Sequence, residues 1–442
     1  MPTIDEFKRL KSYACRIRRI SYLPYVRHKD TTYPQDQKAL RTLLSYHDFA
    51  DHPLFPNLRQ LEFVDANHAV NCLDICLLSK PISLSFFWDD SNGGLNPVFQ
   101  DIFQNIEERA LNMEELELGS FQSGSPVYAA QDTQDLSTLV CKMSELRRFA
   151  TGLRLLDQDA LRHLASLPRL RKLHIPNASM DILESVRTLH CAIFPEFQQL
   201  SLHETHIPSF TRLIVRLKPL RLQALMLLIR YIPTARQIHS IFSALEKSTQ
   251  HAELHRVVLK VIRYPLARHT RFSLVRESMV NGSVLEPLLS FPNLTAVELN
   301  LPCIFDIGDA QVRAMAEAWP RLRCLQLGSL VGWCFPSSVT CTGILSLVRN
   351  CRELEYLALP FNGSGDSVPL RSSLTSADVN EKITYLYVGN GEVKSADIKR
   401  VSQFLGYIFP RLCGIGGAWL CRSGQDEWKN VLDCLEHVHN AA

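Results

Sequence analysis

Three groups of His and Cys residues have spacings that could present several metal ligands together. They are His203-x-x-His206, His251-x-x-x-His255 and Cys434-x-x-His437-x-His439. A protein metal site needs three or four converging ligands, and no second cluster completes any of these groups. The thirteen cysteines also include no Cys-x-x-Cys pair. The sequence therefore predicts surface histidines, no metal site and no cofactor.

Two glycine-rich fragments could in principle wrap a phosphate, Gly389-Asn-Gly391 and Gly414-Ile-Gly416-Gly417. Neither is followed by Lys-Ser/Thr, and neither has the Gly-x-Gly-x-x-Gly spacing. Turns at strand ends are the favoured interpretation. The sequence also lacks Gly-x-Ser-x-Gly and His-Glu-x-x-His, so no nucleophile, base and orienting group can be assembled. We expect no catalysis.

A basic stretch at 253–276 could contact phosphates or an acidic partner. Its cations are Arg256, Lys260, Arg263, Arg268, Arg271 and Arg276, with Tyr264 and Phe272 between them. A solvated loop or helix face is the favoured alternative. The net charge of the chain is only +3, so we do not expect a nucleic-acid partner.

The pattern Leu-x-x-Leu-x-Leu recurs along the chain, as in Leu322-x-x-Leu325-x-Leu327 and Leu354-x-x-Leu357-x-Leu359. A recurring pattern of this kind is typical of a solenoid. The predicted strand centres are Ile20, Leu61, Leu84, Leu116, Phe149, Leu173, Leu200, Leu225, Val257, Val297, Leu325, Leu357, Leu386 and Ile415. Apolar residues on either side of one polar position point to the same face of a strand.

Between these strands the apolar period changes to that of a helix. The segments at 98–110, 235–247, 309–319 and 395–408 each carry one apolar stripe, and Thr234 is a plausible N-cap. The predicted fold is an α/β leucine-rich-repeat solenoid, a horseshoe with parallel strands on its concave face and helices on its convex face. We expect a basic N-terminal segment with a first repeat-like strand at 1–50, and about 13 irregular repeats at 51–442.

Two segments depart from the repeat. The sequence predicts an insertion at 265–283 and a mobile Gly- and Ser-rich loop at 361–381. The N-terminus has no apolar signal region, and no run reaches the ~18 apolar residues of a membrane span. An odd number of unpaired cysteines favours a reducing compartment. We therefore expect an intracellular protein without a membrane partner.

Function is expected on the concave face, because a parallel sheet presents the residues between the leucines as a continuous ladder. The predicted partner-binding residues are Lys172, His174, Ser201, His203, Glu298, Gln326, Tyr356, Tyr385 and Tyr387. Exposed tyrosines are favoured at binding hot spots. The expected ligand is another protein.

Three phrases resemble the leucine-rich-repeat part of F-box-like proteins from mushroom-forming fungi. YACRIRRISY (13–22) resembles the strand that follows the F-box in that family. Phe-Pro-x-Leu-x-x-Leu occurs at 55–61, with variants at 291–297, which ends in Val297, and at 409–415. The ending, VSQFLGYIFPRL and then EWKNVLDCL (427–435), resembles the family's last repeat and closing helix, with Trp428, Val431 and Leu435 on one face.

This resemblance implies a substrate receptor of a cullin-based ubiquitin ligase, in which an F-box binds the ligase adaptor and the repeats capture the target. The chain departs from that plan, because only about a dozen residues precede the first repeat-like strand and no Leu-Pro start occurs there. An adaptor is therefore an expected partner only if an F-box lies upstream. The alternative is a standalone repeat scaffold or inhibitor without a ubiquitin role.

Overall fold

The structure is a computed structural model of the chain. It describes residues 9, 12–22, 53–64, 76–88, 98–109, 112–120, 130–152, 156–176, 184, 194–217, 220–262, 276–328, 337–389, 391–417 and 425–440. The chain forms two compact units, Met1–Phe197 and Gln198–Ala442. We call them unit 1 and unit 2.

Unit 1 is built from parallel strands that lie side by side in sequence order. Its described strands are β1 (Arg19–Tyr22), β2 (Gln60–Val64), β3 (Ser83–Trp88), β4 (Glu115–Ser120), β5 (Arg148–Thr151) and β6 (Lys172–Ile175). Its described helices are α1 (Val98–Arg109), α2 (Ala130–Lys142) and α3 (Gln158–Ser166). Each helix lies between two consecutive strands, as the change of apolar period predicts.

The predicted strand centres of unit 1 lie opposite one another across the sheet. Ile20 faces Leu61, and the same row continues through Leu84, Leu116, Phe149 and Leu173. From Leu61 to Leu173 these side chains are buried. Burial of one large apolar side chain per strand contributes about 1.5–3 kcal/mol relative to its exposure, so this row is the main stabilising contact between repeats.

Unit 2 repeats the same arrangement. Its described strands in the main sheet are β7 (Gln199–His203), β8 (Ala224–Ile229), β9 (Arg256–Val261), β11 (Ala296–Asn300), β13 (Cys324–Leu327), β14 (Tyr356–Ala358), β15 (Tyr385–Tyr387) and β16 (Gly414–Gly416). Its described helices are α4 (Ile207–Arg216), α5 (Ala235–Ser248), α6 (Gly282–Leu285), α7 (Asp309–Ala318), α8 (Cys341–Asn350), α9 (Ile398–Ile408) and α10 (Gln425–Asn440).

The strand centres of unit 2 are also in register. The row runs through Leu200, Leu225, Val257, Val297, Leu325, Leu357, Leu386 and Ile415. Helix α5 begins as predicted, because Thr234 forms a capping box with Gln237. The Thr234 hydroxyl accepts from the Gln237 amide at 3.2 Å, and the Gln237 side chain accepts from the Thr234 amide at 2.9 Å. The α/β leucine-rich-repeat class is thus confirmed in both units.

The long step between Val257 and Val297 contains added secondary structure from residue 276 onward, while residues 265–275 of the predicted insertion lie outside the described residues. Strand β10 (Met279–Asn281), within this step, pairs in parallel with β12 (Ile304–Asp306), which follows β11, and the two form a separate sheet. A 3-10 helix at Glu286–Ser290 follows α6, and the buried Trp319 indole donates to the Leu288 carbonyl at 3.1 Å. This bond fastens the added segment to the end of α7.

The expectation of a mobile loop at 361–381 is wrong. The segment forms three 3-10 turns, at Gly365–Ser367, Arg371–Ser373 and Ser376–Asp378. The fully buried Asp378 carboxylate accepts from Arg349 at 2.5 Å and from the Thr375 amide and hydroxyl at 2.7 and 3.0 Å. The turns thus pack on α8 in place of a regular helix, and a distant arginine supplies the necessary partner.

The first strand belongs to the repeat array, because β1 pairs in parallel with β2. The basic segment at 1–50 is described only at residue 9 and from 12 to 22. The predicted domain boundary at residue 50 therefore stays a prediction, as does the count of about 13 repeats. The compact units themselves divide at Phe197.

Candidate functional site

Each strand of the main sheet has a central apolar residue, buried except for the half-buried Ile20 and Ile415, and two flanking residues that point to the opposite face. We call this opposite side the outward face. Its first row comprises the residues just before the strand centres, and its second row comprises those just after. The predicted partner-binding residues, apart from His203, occupy these two rows, and His203 lies two positions beyond Ser201 on β7.

The outward face of unit 1 is polar, and its charges are paired across strands. Arg19 donates to Glu62 at 2.8 Å, and Arg148 on β5 donates to Glu117 on β4 at 2.8 Å. The Ser83 hydroxyl donates to Glu115 at 2.9 Å. Exposed pairs of this kind contribute about 0–1 kcal/mol each, so they define the register and the charge pattern more than the stability.

Lys172 and His174 lie on β6, the last strand of unit 1. Lys172 is exposed and His174 is half-buried. Burial, and then the positive charge of Arg148, lower the pKa of His174. The imidazole is therefore neutral at physiological pH, where it can both donate and accept a hydrogen bond.

Ser201 and His203 lie on β7, and both side chains are half-buried. The register places Ser201 beside Met226 on β8 and then Val258 on β9. Val258 is buried although it lies in an outward row. In the second outward row, the residues next to Ser201 on β8 and β9 are therefore apolar.

Three tyrosines form a cluster at the other end of unit 2, on β14 and β15. The rings of Tyr356 and Tyr387 lie 5.5 Å apart with a tilt of 41°, and those of Tyr385 and Tyr387 lie 4.8 Å apart with a tilt of 48°. Such separations are typical of interacting aromatic pairs. Tyr385 is 39% exposed. We call Tyr356, Tyr385 and Tyr387 the tyrosine patch.

Two glycines of the last strand, β16, lie beneath the Tyr385 ring of this patch. A Cβ atom on Gly414 would lie 2.4 Å from Cδ2 of Tyr385, and one on Gly416 would lie 2.5 Å from the Tyr385 hydroxyl oxygen. The phenol ring therefore lies directly over the β16 backbone. The two glycines, which resemble a weak phosphate loop in sequence, are strand residues that make room for Tyr385.

A charged pair and a half-buried thiol border the patch. Arg256 on β9 donates to Glu298 on β11 at 2.7 Å. Cys324 occupies the first outward row between Ala296 and Tyr356. Burial raises the pKa of Cys324 to about 11, and the negative charge of Glu298 acts in the same direction. Cys324 is consequently a neutral thiol at physiological pH.

The surroundings of Tyr356 keep its phenol protonated. Burial raises the pKa of Tyr356 to about 12, with smaller contributions from Tyr387, Cys324, Glu298 and Tyr385. The neutral phenol retains its hydroxyl as a hydrogen-bond donor. Tyr356 therefore offers the patch an uncharged aromatic ring and a hydroxyl donor.

Gln326 is expected on the exposed ladder but is only 6% exposed. The register places it in the second outward row, between Glu298 and Ala358. Its side-chain Nε2 is buried and has no hydrogen-bond partner among the described residues. Exposure on a sheet face depends on the side chains of neighbouring strands, which a single strand sequence does not reveal.

The structure thus brings together five of the nine predicted residues: Glu298, Gln326, Tyr356, Tyr385 and Tyr387 all lie on β11 to β15 of unit 2. Ser201 and His203 lie on β7 of the same unit, several strands away, while Lys172 and His174 belong to unit 1. Sequence reasoning missed the roles of Cys324, Gly414 and Gly416. Strand register could have signalled all three, since each aligns with a tyrosine on the neighbouring strand.

Part of the basic stretch lies on the outward face of β9. Arg256 is occupied by Glu298, and Lys260 is exposed. Arg263, Arg268 and Arg271 lie outside the described residues, as does the environment of the Arg276 side chain. The described part of the stretch therefore contributes one unpaired cation at most to the face.

In the part of the chain that the structure describes, no group of three or more His, Cys, Asp or Glu side chains could hold a metal ion. The candidate ligand His437 lies on α10, as predicted. Over the same described residues, no helix has both the length and the apolar character needed to span a bilayer.

No protein-family model matches the chain, and no curated protein matches it. Among solved structures, the chain is similar to one chain in the crystal structure of the Rad7 and Elc1 complex in yeast. The likeness has 14% sequence identity and a TM-score of 0.40, and covers 87% of this chain and 93% of that chain. The class of the protein follows from its own strands and helices: an α/β leucine-rich-repeat protein.

Proposed function

We propose that this protein is a non-catalytic recognition module that binds another protein on the outward face of its strands. The observation that carries the proposal is the tyrosine patch. Its most exposed ring, Tyr385, lies open to solvent above Gly414 and Gly416. Large apolar rings held in this way gain surface burial only when a partner covers them.

The surroundings of the patch support a protein as the partner. Tyrosine is enriched at the energetic centres of protein interfaces, which are bordered by polar residues that exclude water. Here Arg256 and Glu298 form such a polar border on one side. A tyrosine has only two side-chain torsions to fix on binding, so its entropy cost is low.

By resemblance, the module would select substrates for a ubiquitin ligase inside the cell. That role would require an F-box for adaptor binding. The alternative is a scaffold or inhibitor that binds its partner without delivering it to a ligase. Co-purification with the adaptor distinguishes the two roles. A longer product with an upstream F-box should retain the adaptor. If neither this chain nor the longer product retains the adaptor, only the scaffold or inhibitor role remains.

A site-specific cross-link tests the binding face. A photoreactive residue is placed at Tyr385 and, as a matched control, at Leu370, an apolar side chain that is 61% exposed on the 361–381 segment. A discrete cross-linked protein should form from position 385 and be absent from position 370. Equal cross-linking from both positions, or none from 385, would contradict the proposed face.

The double variant Tyr385→Ala/Tyr387→Ala tests whether the tyrosine patch is needed for binding. It should reduce capture of that cross-linked partner while Leu370→Ala does not. Circular dichroism and thermal melting of both variants establish that the repeats remain folded. If the tyrosine pair costs as much stability as a core leucine, the residues are structural and the face is misassigned.

A further inference from the structure

The tyrosine patch has the composition of a site for a positively charged side chain. Its three rings lie next to one another on the outward face, with Tyr387 4.8 Å from Tyr385 and 5.5 Å from Tyr356 and neither pair parallel. The faces of aromatic rings attract cations through their quadrupole. The Tyr356 ring is suited to this contact because burial keeps its phenol protonated.

A carboxylate lies on the border of the same area. Glu298 already holds one guanidinium, that of Arg256, through a single oxygen at 2.7 Å. Its negative charge is felt within the patch, because it contributes to the raised pKa of both Cys324 and Tyr356. Arg256 opposes this effect at Cys324, so Glu298 attracts a second cation most strongly when Arg256 no longer pairs with it.

Gln326 supplies an independent observation. It is more than nine-tenths buried on the outward face, beside Glu298, and its Nε2 has no partner among the described residues. An unsatisfied buried donor is destabilising. When the Gln326 side chain turns outward, it can donate to a backbone carbonyl of a bound segment, which a purely apolar occupant does not offer.

We propose that the tyrosine patch binds an arginine side chain in an extended segment of the partner, with Glu298 pairing its charge and Gln326 donating to its backbone. Arginine fits better than lysine because its planar guanidinium stacks on tyrosine rings and pairs with a carboxylate. A proline-rich segment also docks on aromatic grooves, but it would leave the field of Glu298 unused. This inference rests on the proposed protein-recognition function.

A peptide library tests the inference directly. The full chain is immobilised and exposed to pools of nine-residue peptides, each with one residue type fixed at the centre and random flanks. Retention is measured for pools with central arginine, lysine, citrulline, proline and glutamate. Citrulline is the matched control, since it keeps the shape of arginine and lacks the charge.

The arginine pool should be retained about fivefold more than the citrulline pool. Tyr385→Leu/Tyr387→Leu should abolish the difference, and Tyr385→Phe/Tyr387→Phe should retain most of it because the rings remain. If citrulline, proline or glutamate pools are retained as well as arginine and are lost in the leucine variant, the face binds peptides but the arginine inference is wrong. If no pool distinguishes wild type from the leucine variant, the proposed function fails too.

Two border variants provide a sharper check on the charge. Glu298→Gln should lower retention of the arginine pool by about three- to tenfold, as expected for a lost charge-assisted bond. Arg256→Gln should instead raise it, because the internal guanidinium no longer competes for Glu298. A decrease with Arg256→Gln would overturn the assigned role of Glu298.

Discussion

Individual side chains of this protein gain their roles through partners that lie about thirty residues away, on the next repeat. Asp378 shows this most clearly, since its fully buried carboxylate accepts from Arg349 on α8. The hydrogen bond from Arg349, with further bonds from Thr375, lowers the pKa of Asp378. The folded state is therefore stabilised by the ionised form of this group.

The corresponding prediction is that Asp378→Asn destabilises the protein by about 1–3 kcal/mol at neutral pH, because charge-assisted bonds to Arg349 and Thr375 are weakened. Since folding lowers the pKa, the contribution is complete above the ordinary pKa of about 4 and is lost as the pH falls through the folded value. Urea unfolding from pH 7 to pH 3 should show that the difference in free energy of unfolding between wild type and variant becomes smaller. Asp306→Asn, at an exposed aspartate, is the control. A difference in free energy of unfolding that grows in acid would contradict the role assigned to Asp378.

Gly416 provides a second prediction at this scale. In Gly416→Ala the new methyl group would meet the Tyr385 hydroxyl, and the exposed ring can move aside without disturbing the core. We expect a change in stability below about 1 kcal/mol, together with weaker partner capture. In a double-mutant cycle, adding Gly416→Ala to Tyr385→Ala should have no further effect on capture; additive losses would show that Gly416 acts without Tyr385.

At the scale of elements, the strands were predictable and their surroundings were not. Every predicted strand centre from Ile20 to Ile415 lies in a strand of the described structure, because the apolar alternation is local. The turns at 361–381 were not predictable, since their order depends on Arg349 in another repeat. The burial of Gln326 and the position of Tyr385 over Gly416 likewise depend on strand register.

The turns before β2, β11 and β15 share a second feature, an asparagine that bonds back to the previous repeat. The amides of Asn57, Asn293 and Asn380 donate to the carbonyls of Cys15, Ala252 and Leu354, at 2.6, 2.9 and 3.0 Å. Asn380 also accepts from the backbone amides of Lys382 and Ile383. Asn380 is 4% exposed, so the Leu354 carbonyl and the Lys382 and Ile383 amides depend on its side chain for their hydrogen bonds.

We therefore predict that Asn380→Ala costs about 2–4 kcal/mol, because it leaves several backbone groups unpaired at a buried turn. Asn293→Ala is the matched control, since that side chain is only half-buried and donates a hydrogen bond to the Ala252 carbonyl; its expected cost is about 1 kcal/mol. Thermal and urea unfolding measure both. Equal losses would indicate that burial of the turn does not determine its contribution.

At the scale of the whole molecule, stability should be distributed along the chain rather than concentrated in one core. Each described strand pairs only with its neighbours in the array, and the two compact units each contain their own row of buried strand centres. Stability in such arrays is approximately a sum over repeats and their nearest-neighbour contacts. A local defect should therefore have a local effect under native conditions.

Leu325→Ala is the most direct test of this distribution. Leu325 is fully buried at the centre of β13, and its truncation should cost about 2–5 kcal/mol through the cavity that it leaves. Hydrogen exchange should then accelerate in β13 and in its partners β11 and β14, with little change in β3 and β4 of unit 1. Phe149→Ala on β5 is the reciprocal control and should affect β4 and β6 instead. If either variant accelerates exchange equally in all strands, the chain unfolds as one cooperative body. The repeats that carry the tyrosine patch then have the same stability as every other repeat.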